Sequence, residues 1–257
     1  MGYLSVQKEE YVAIVKIDNP PANARGSYVL EELAAFIEDA EHDPSIRAIL
    51  LYGEGKFFSA GADIKEFTKV ESGKEFSRLA AKGQELFDRI ESFRKPVIAA
   101  IHGAALGGGL ELAMSCHIRI VTENAKLGLP ELQLGLVPGF GGTQRLPRYV
   151  GEAKALEMMA TSEPITGAEA AQLGLANKAV QDEMLLHEAK QLAGKMALKS
   201  PNTLKAVIEL LNIRKSSSYQ EGMAREAALF GEVFDKQDAK EGIQAFLEKR
   251  PPQFKGE

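Results

Sequence analysis

The sequence predicts an α/β protein in which parallel strands are joined by helical crossovers and followed by a helical C-terminal region. Three observations predict it. Short β-branched apolar runs alternate with stretches of helical periodicity up to about Val180. Beyond that point no strand-like run occurs, and amphipathic stretches fill the rest of the chain. Glycine clusters stand where strand runs give way to helical ones, as they do where a backbone must turn sharply or approach a ligand.

Taken in order, residues 11–17 alternate as a strand that Asp18, Asn19, Pro20 and Pro21 end. Ser27 is placed to cap a helix whose apolar stripe is Leu30, Leu33, Phe36, Ile37 and Ala40. Residues 47–52 read as a buried strand stopped by Gly53, and residues 55–63 as a loop with a small-residue centre. A long helix follows, with Phe76, Leu79, Gly83, Leu86, Phe87, Ile90 and Phe93 at helical spacing. Short helices are expected over 151–159 and 167–173, the second closed by Gly174. Longer ones are expected over 184–198, 201–213, 219–234 and 239–248. Residues 1–180 thus form a strand-bearing core and residues 181–257 a helical region. Periodicity alone leaves open whether the core is a doubly wound sheet or a spiral of ββα repeats.

The stretch from Pro96 to Leu146 carries the chemistry. An apolar run, Val97–Ile101, enters three consecutive glycines, Gly107, Gly108 and Gly109, and an apolar helical turn bearing one acid, Glu111. The first turn of a helix offers unpaired amides and a partial positive charge, a ready site for an oxyanion. A second strand run at 118–121 leads to another acid, Glu131, directly after Pro130, and then to Gly139, Gly141 and Gly142. A carboxylate among Leu106, Leu110, Leu112 and Met114 is desolvated, which favours its protonated form and acid–base work. Either glutamate alone is an ordinary helix start, favoured by the macrodipole. Two of them beside backbone donors can move protons next to an activated carbonyl.

Other chemistries find no support. The glycine runs miss the third glycine of G-x-G-x-x-G, where Leu112 and Gln144 stand. Lys56 and Lys74 lack the Ser or Thr of a phosphate loop, and no G-x-S-x-G surrounds Ser59 or Ser115. The four histidines, His42, His102, His117 and His187, have no metal-ligand spacing with Cys116, so no metal site is expected. The net charge of −5, without a cluster of Lys or Arg interleaved with aromatics, argues against nucleic acid and anionic membranes as partners. A single cysteine, no apolar leader run and no membrane-length apolar run point to the cytoplasm.

The segments FFSAGADIKEF (57–67), HGAALGGGLELAMSC (102–116) and LGLPELQLGLVPGFGGTQRL (127–146) resemble the signatures of the enoyl-CoA hydratase/isomerase, or crotonase, family. The similarity spans essentially the whole chain, including EKRPPQFKG (248–256). The resemblance implies a crotonase-like spiral of ββα repeats and a C-terminal helical region that packs subunits into trimers or dimers of trimers. It implies a 2-enoyl-CoA substrate hydrated to a 3-hydroxyacyl-CoA, with no metal or redox cofactor, since coenzyme A is the substrate's carrier. By resemblance the thioester oxygen is held by the amides of Ala62 and Gly108. Glu111 and Glu131 are the catalytic acids, Glu111 handling the water and Glu131 the α-carbon proton, with the Gly139 amide as a further holder of the water. Ala60, Gly61, Asp63 and Ile64 line the coenzyme A site, Phe140 and residues 67–79 the acyl pocket. Phe254 and Lys255 reach a neighbouring subunit's site. The same resemblance includes Δ3,Δ2-enoyl-CoA isomerases, many of which use one acid at the position of Glu131, 3-hydroxyacyl-CoA dehydratases, and non-catalytic CoA- or RNA-binding relatives. Where many relatives carry Asp, this chain has His117.

Overall fold

A computed structural model describes residues 2–24, 26–61 and 70–257. Its larger sheet has six strands in the order β1 (Leu4–Glu9), β2 (Val12–Ile17), β3 (Ala48–Gly53), β4 (Val97–Ile101), β6 (Ile118–Thr122) and β9 (Lys178–Val180). β1 and β2 form an antiparallel hairpin, and every later neighbour pair is parallel. A smaller sheet joins β5 (Ala104–Leu106), β7 (Lys126–Gly128) and β8 (Ile165–Thr166), and Ser59 extends it through a parallel bridge to Ala105. β4 is followed at once by β5, and β6 by β7, so each turn of the chain lays one strand in each sheet before a helix returns it. This is the ββα spiral, and it resolves the alternative that periodicity left open. β1, β5, β7, β8 and β9, and a helix over Gly142–Val150, are additions to the elements expected from the sequence.

The period-two alternation of the strands divides the core cleanly. Ala13, Val15, Ile17, Ile49, Leu51, Val97, Ala99, Ile101 and Val121 face one side. Against them pack α1 (Ser27–His42), through Val29, Leu33, Ile37 and Ala40, and α2 (Gly73–Glu91), through Leu86, Phe87 and Ile90. Val12, Ile14, Leu50, Ile98, Ala100 and Ile120 face the other side, where α7 (Leu185–Ala197) presents Leu185, Ala189, Ala193 and Ala197 at four-residue spacing. Alanines on that stripe let α7 lie close to the sheet. The helix therefore belongs to the same packed body as the strands, although it follows the last of them. Ser27 is the first residue of α1 and not its cap; Gly26 takes that place without a side-chain bond.

The core on the α1 and α2 side also takes in residues of α3 (Gly108–Ser115), α4 (Gly142–Val150), α5 (Glu152–Thr161) and α6 (Gly167–Gln172). The chain ends in α8 (Pro201–Ile213), α9 (Tyr219–Phe234) and α10 (Gln237–Glu248). Gly174, at φ +81°, follows the end of α6 as the sequence predicts.

Register places Ile14, Leu50 and Ile98 side by side beneath α7. Ile98→Ala is expected to destabilise the fold by about 2–5 kcal/mol, the usual cost of truncating a fully buried isoleucine, measured by urea unfolding. A loss under about 1 kcal/mol would mean that α7 is not seated on this face.

Candidate active site

Three parallel segments end at the same place. Ser59 N donates to Ala104 O at 3.1 Å and Leu106 N to Ser59 O at 3.0 Å, so the 58–60 segment runs beside β5. β5 in turn pairs with β7 in a register that puts Leu106 opposite Gly128, and Gly107 N donates to Gly128 O at 2.9 Å. The three exits are then forced together: Gly61, Gly107 with α3 beyond it, and Pro130 with Glu131. This is the carboxyl end of parallel strands, where open α/β sheets bind ligands.

Gly107 makes the approach possible. Its φ of +52° and ψ of −131° belong to glycine alone. A Cβ built there would sit 2.9 Å from Glu131 Oε1 and 3.9 Å from Gly61 Cα. Glu131 opens a 3₁₀ turn, Glu131–Leu134, that ends at Gly135 in the left-handed region. Glu111 lies in the first turn of α3 and is 1 % exposed. Its Oε1 accepts from the amides of Phe140 and Gly142, both at 2.8 Å. The surroundings of Glu111 are thus not wholly apolar: a glycine-rich loop folds over α3 and fixes the carboxylate with two backbone donors. The Gly108 amide has no acceptor among the described residues, because it opens the helix. The same holds for the Gly139 amide, while Gly139 O accepts from Gln84 Nε2 at 2.8 Å.

Around these groups lies a cavity of about 380 Å³. Glu111, Glu131, Gly108, Gly139, Ala60 and Gly61 all line it. Its remaining walls are largely apolar: Leu30 and Ala34 of α1, Phe76, Leu79, Ala80 and Leu86 of α2, and Leu136, Val137 and Phe140. Ala62, Asp63 and Ile64 lie outside the described residues, as do residues 67–69. Phe254 and Lys255 do not line the cavity of their own chain. Instead the tail is anchored elsewhere, with Lys255 N and Gly256 N donating to the Asp238 carboxylate at 2.8 and 2.9 Å and Arg47 Nη2 to Phe254 O at 3.0 Å.

Sequence reasoning missed the buried cations that hold this arrangement. Arg119 closes the far end of α3, its Nη1 donating to Ala113 O and Cys116 O at 3.2 and 2.5 Å, which complements the helix dipole. Arg145 of α4 pairs with Asp88 and Glu91 of α2 and also donates to Phe140 O at 2.8 Å. Arg145 was visible in the motif GGTQRL, but nothing in the spacing told its partners. His117 sits at the same far end of α3, remote from the cavity, with Nδ1 accepting from Val97 N at 2.9 Å. Burial, with Lys215 and Arg119 nearby, pushes its pKa down to about 4, so the imidazole is neutral and structural. Cys116 is likewise buried in the core. No group of acidic, His and Cys side chains suited to a metal occurs among the described residues.

Fold and site together define a spiral ββα protein whose oxyanion-type helix start and two carboxylates share one apolar cavity. Residues 7–257 match the family described as enoyl-CoA hydratase/isomerase. The chain is 59 % identical to a protein of Bacillus subtilis (strain 168) named "Probable enoyl-CoA hydratase", over 100 % of both chains. It is 43 % identical to a "Crotonyl-CoA hydratase" of Syntrophomonas wolfei, over 99 % of each. A crystal structure of an enoyl-CoA hydratase from Bacillus anthracis superposes with a TM-score of 0.95 at 34 % identity, over 99 % of this chain and 100 % of that one. The chain belongs to the enoyl-CoA hydratase/isomerase family.

Glu91 is the acidic hub behind the site, accepting from Arg145, Arg148 and Lys215 at 2.9, 3.0 and 2.7 Å. Burial pushes its carboxyl up, but Lys215 and Arg145 outweigh that and hold its pKa below the ordinary 4.5. A depressed folded pKa contributes stability that is complete above the unfolded value and is lost as pH falls through the folded one. Thermal unfolding followed from about pH 6 down to about pH 3 is therefore expected to show a smaller acid-side loss in Glu91→Gln than in the wild type. Parallel pH profiles would deny the hub this role.

Proposed function

We propose that this chain is an enoyl-CoA hydratase, a hydro-lyase that adds water across the 2,3 double bond of a 2-enoyl-CoA thioester to give a 3-hydroxyacyl-CoA. The observation that carries the reading is the meeting of Glu111, Glu131 and the open amide of Gly108 on one apolar cavity. The Gly108 amide, at the positive end of α3, holds the thioester oxygen together with the Ala62 amide, and the hold tightens as enolate charge develops. Glu111 and the Gly139 amide orient the water. Its oxygen bonds to C3, its proton passes to Glu111, and Glu131 delivers a proton to C2, so that one water is added overall and proton exchange between the acids through solvent restores the start. Two fixed carboxylates suit this task, since one group must accept a proton while another gives one. The chemistry asks for no metal or redox cofactor, because the thioester itself stabilises the negative charge at C2 once its oxygen is held. Ala60, Gly61, Asp63 and Ile64 take the coenzyme A portion.

Glu111→Gln and Glu131→Gln are each expected to lower kcat for crotonyl-CoA hydration by on the order of 10²–10⁴-fold with fold and KM largely retained, followed by the loss of enoyl absorbance. A variant that stays near the wild-type rate removes its residue from the mechanism. NMR of the products that shows double-bond migration without hydration would make the protein an isomerase.

The chain is further read as a homo-oligomer, a trimer or dimer of trimers, in the cytoplasm. α8, α9 and α10 leave large apolar side chains uncovered, including Val207, Leu211, Tyr219, Phe230, Phe234, Phe246 and Leu247. Phe230 and Phe246 are 77 % and 83 % exposed, an area that a partner copy would cover. The anchored tail would then offer Phe254 and Lys255 to a neighbouring subunit's site. The compartment rests on the single buried cysteine, which suits reducing conditions. No helix among the described residues is long and apolar enough to cross a membrane. Light scattering is expected to give three or six chains for the wild type and a smaller species for Phe230→Glu combined with Phe246→Glu. A monomeric wild type would remove the oligomer.

A further inference from the structure

We propose that Arg145 is a positioning residue for Glu111, acting through the loop that carries Phe140 and Gly142; the claim rests on the hydratase reading only for its activity readouts. Arg145 does not line the cavity. Its side chain, 4 % exposed, lies behind the 139–142 loop. Nη1 donates to Phe140 O at 2.8 Å, Nε to Glu91 Oε2 at 2.9 Å and Nη2 to Asp88 Oδ1 at 2.5 Å. On its other side the same loop donates two amides to Glu111 Oε1. Phe140 is thus gripped at both ends of its backbone, its carbonyl by the arginine and its N–H by the glutamate.

Outside the Phe140 ring, the loop has little side-chain packing to hold this shape. Gly141 and Gly142 bring no side chain to it, and their lack of one is required. A Cβ on Gly141 would fall 2.4 Å from Arg145 Nη1, and one on Gly142 would fall 2.9 Å from Glu111 Oε1. The Phe140 ring is fixed as well. It lies against Gly83 of α2, where a Cβ would come within 2.4 Å of two ring carbons, and meets Phe87 edge-on at 5.6 Å. Ring and carbonyl are therefore both referred to α2, the helix that supplies Asp88 and Glu91. A buried cation is costly, and a hydrocarbon side chain could fill the same space more cheaply. Only the rigid guanidinium fork reaches a carbonyl and two carboxylates at fixed angles, which ties the loop, and with it the Glu111 carboxylate, to the frame of the cavity.

Arg145→Met keeps an unbranched stem of similar shape as far as the ε position and removes the fork. Hydration of crotonyl-CoA is expected to fall about 10–100-fold in kcat with KM changed less than about threefold. Exchange of the C2 proton of butyryl-CoA in D2O, which uses Glu131 and the oxyanion donors but no attacking water, is expected to fall far less. Glu111→Gln should show the same split, and adding Arg145→Met to it should cost little more, because the two changes remove one function. Equal losses of hydration and exchange, or multiplicative losses in the double variant, would overturn the proposal. Should Arg145→Met fail to fold, Arg145→Lys, which keeps the charge without the fork, carries the same readouts. Crystal structures of wild type and variant decide the matter apart from any reaction. Glu111 is expected to lose at least one of its two amide bonds, and unchanged distances sink the positioning role. A wild type that leaves crotonyl-CoA unhydrated would sink the hydratase reading instead.

Discussion

Everything at the site depends on a few backbone hydrogen bonds in the smaller sheet. The pairing of Ser59 with Ala105 and of Leu106 with Gly128 lines up three chain segments that are far apart in sequence. Each segment contributes a different part: the small-residue loop at Ala60 and Gly61, the helix start at Gly108, and the acid at Glu131. A one-residue slip in either pairing would reverse the facing of the side chains and separate Glu131 from Gly107. The larger sheet supplies stability, and the smaller one supplies coincidence. At the exit of the smaller sheet stands Gly107, where only a residue without Cβ leaves room for the Glu131 carboxylate.

The electrostatics of α3 follow from its length. Eight residues make little more than two turns, so its ends are close and its dipole is short. Arg119 satisfies the carbonyl end from within the core. The amide end is left open toward the cavity, where a developing negative charge would find it. Glu111, one turn in, would by itself weaken that positive end. Its charge is instead answered by the amides of Phe140 and Gly142, so that the carboxylate and the helix start can share a small space.

Much of this was legible in the sequence, and the reasons for the rest are physical. β4 and α8 fall where their apolar pattern and leading proline put them, and Glu111 stands in the first turn of its helix as the glycine run implies. β5, β7 and β8 have two or three residues each, too few to show a period, and they exist only because neighbours pair with them. β1 carries polar residues on most of its length and is a strand because β2 lies beside it. The motifs told which glutamates and glycines to watch. They could not tell that Arg145 would turn inward, since a lone arginine in a helical stretch has the same signature whether it faces water or a carboxylate pair.

The cations are nonetheless a consequence of the glycines. A site built from backbone amides must keep side chains out of the space the ligand takes, and so it is written in residues that contribute no packing. Such a loop loses more conformational entropy on ordering than one of ordinary residues and has less burial to offset it. Order then has to come from outside the loop, through groups long enough to reach in and directional enough to fix a peptide plane. Arginine meets both needs, and a helix with adjacent acids, Asp88 and Glu91, keeps it paired and aimed. On this logic the glycine cluster and the buried arginine are one device: the first makes the amides available, and the second makes them stay.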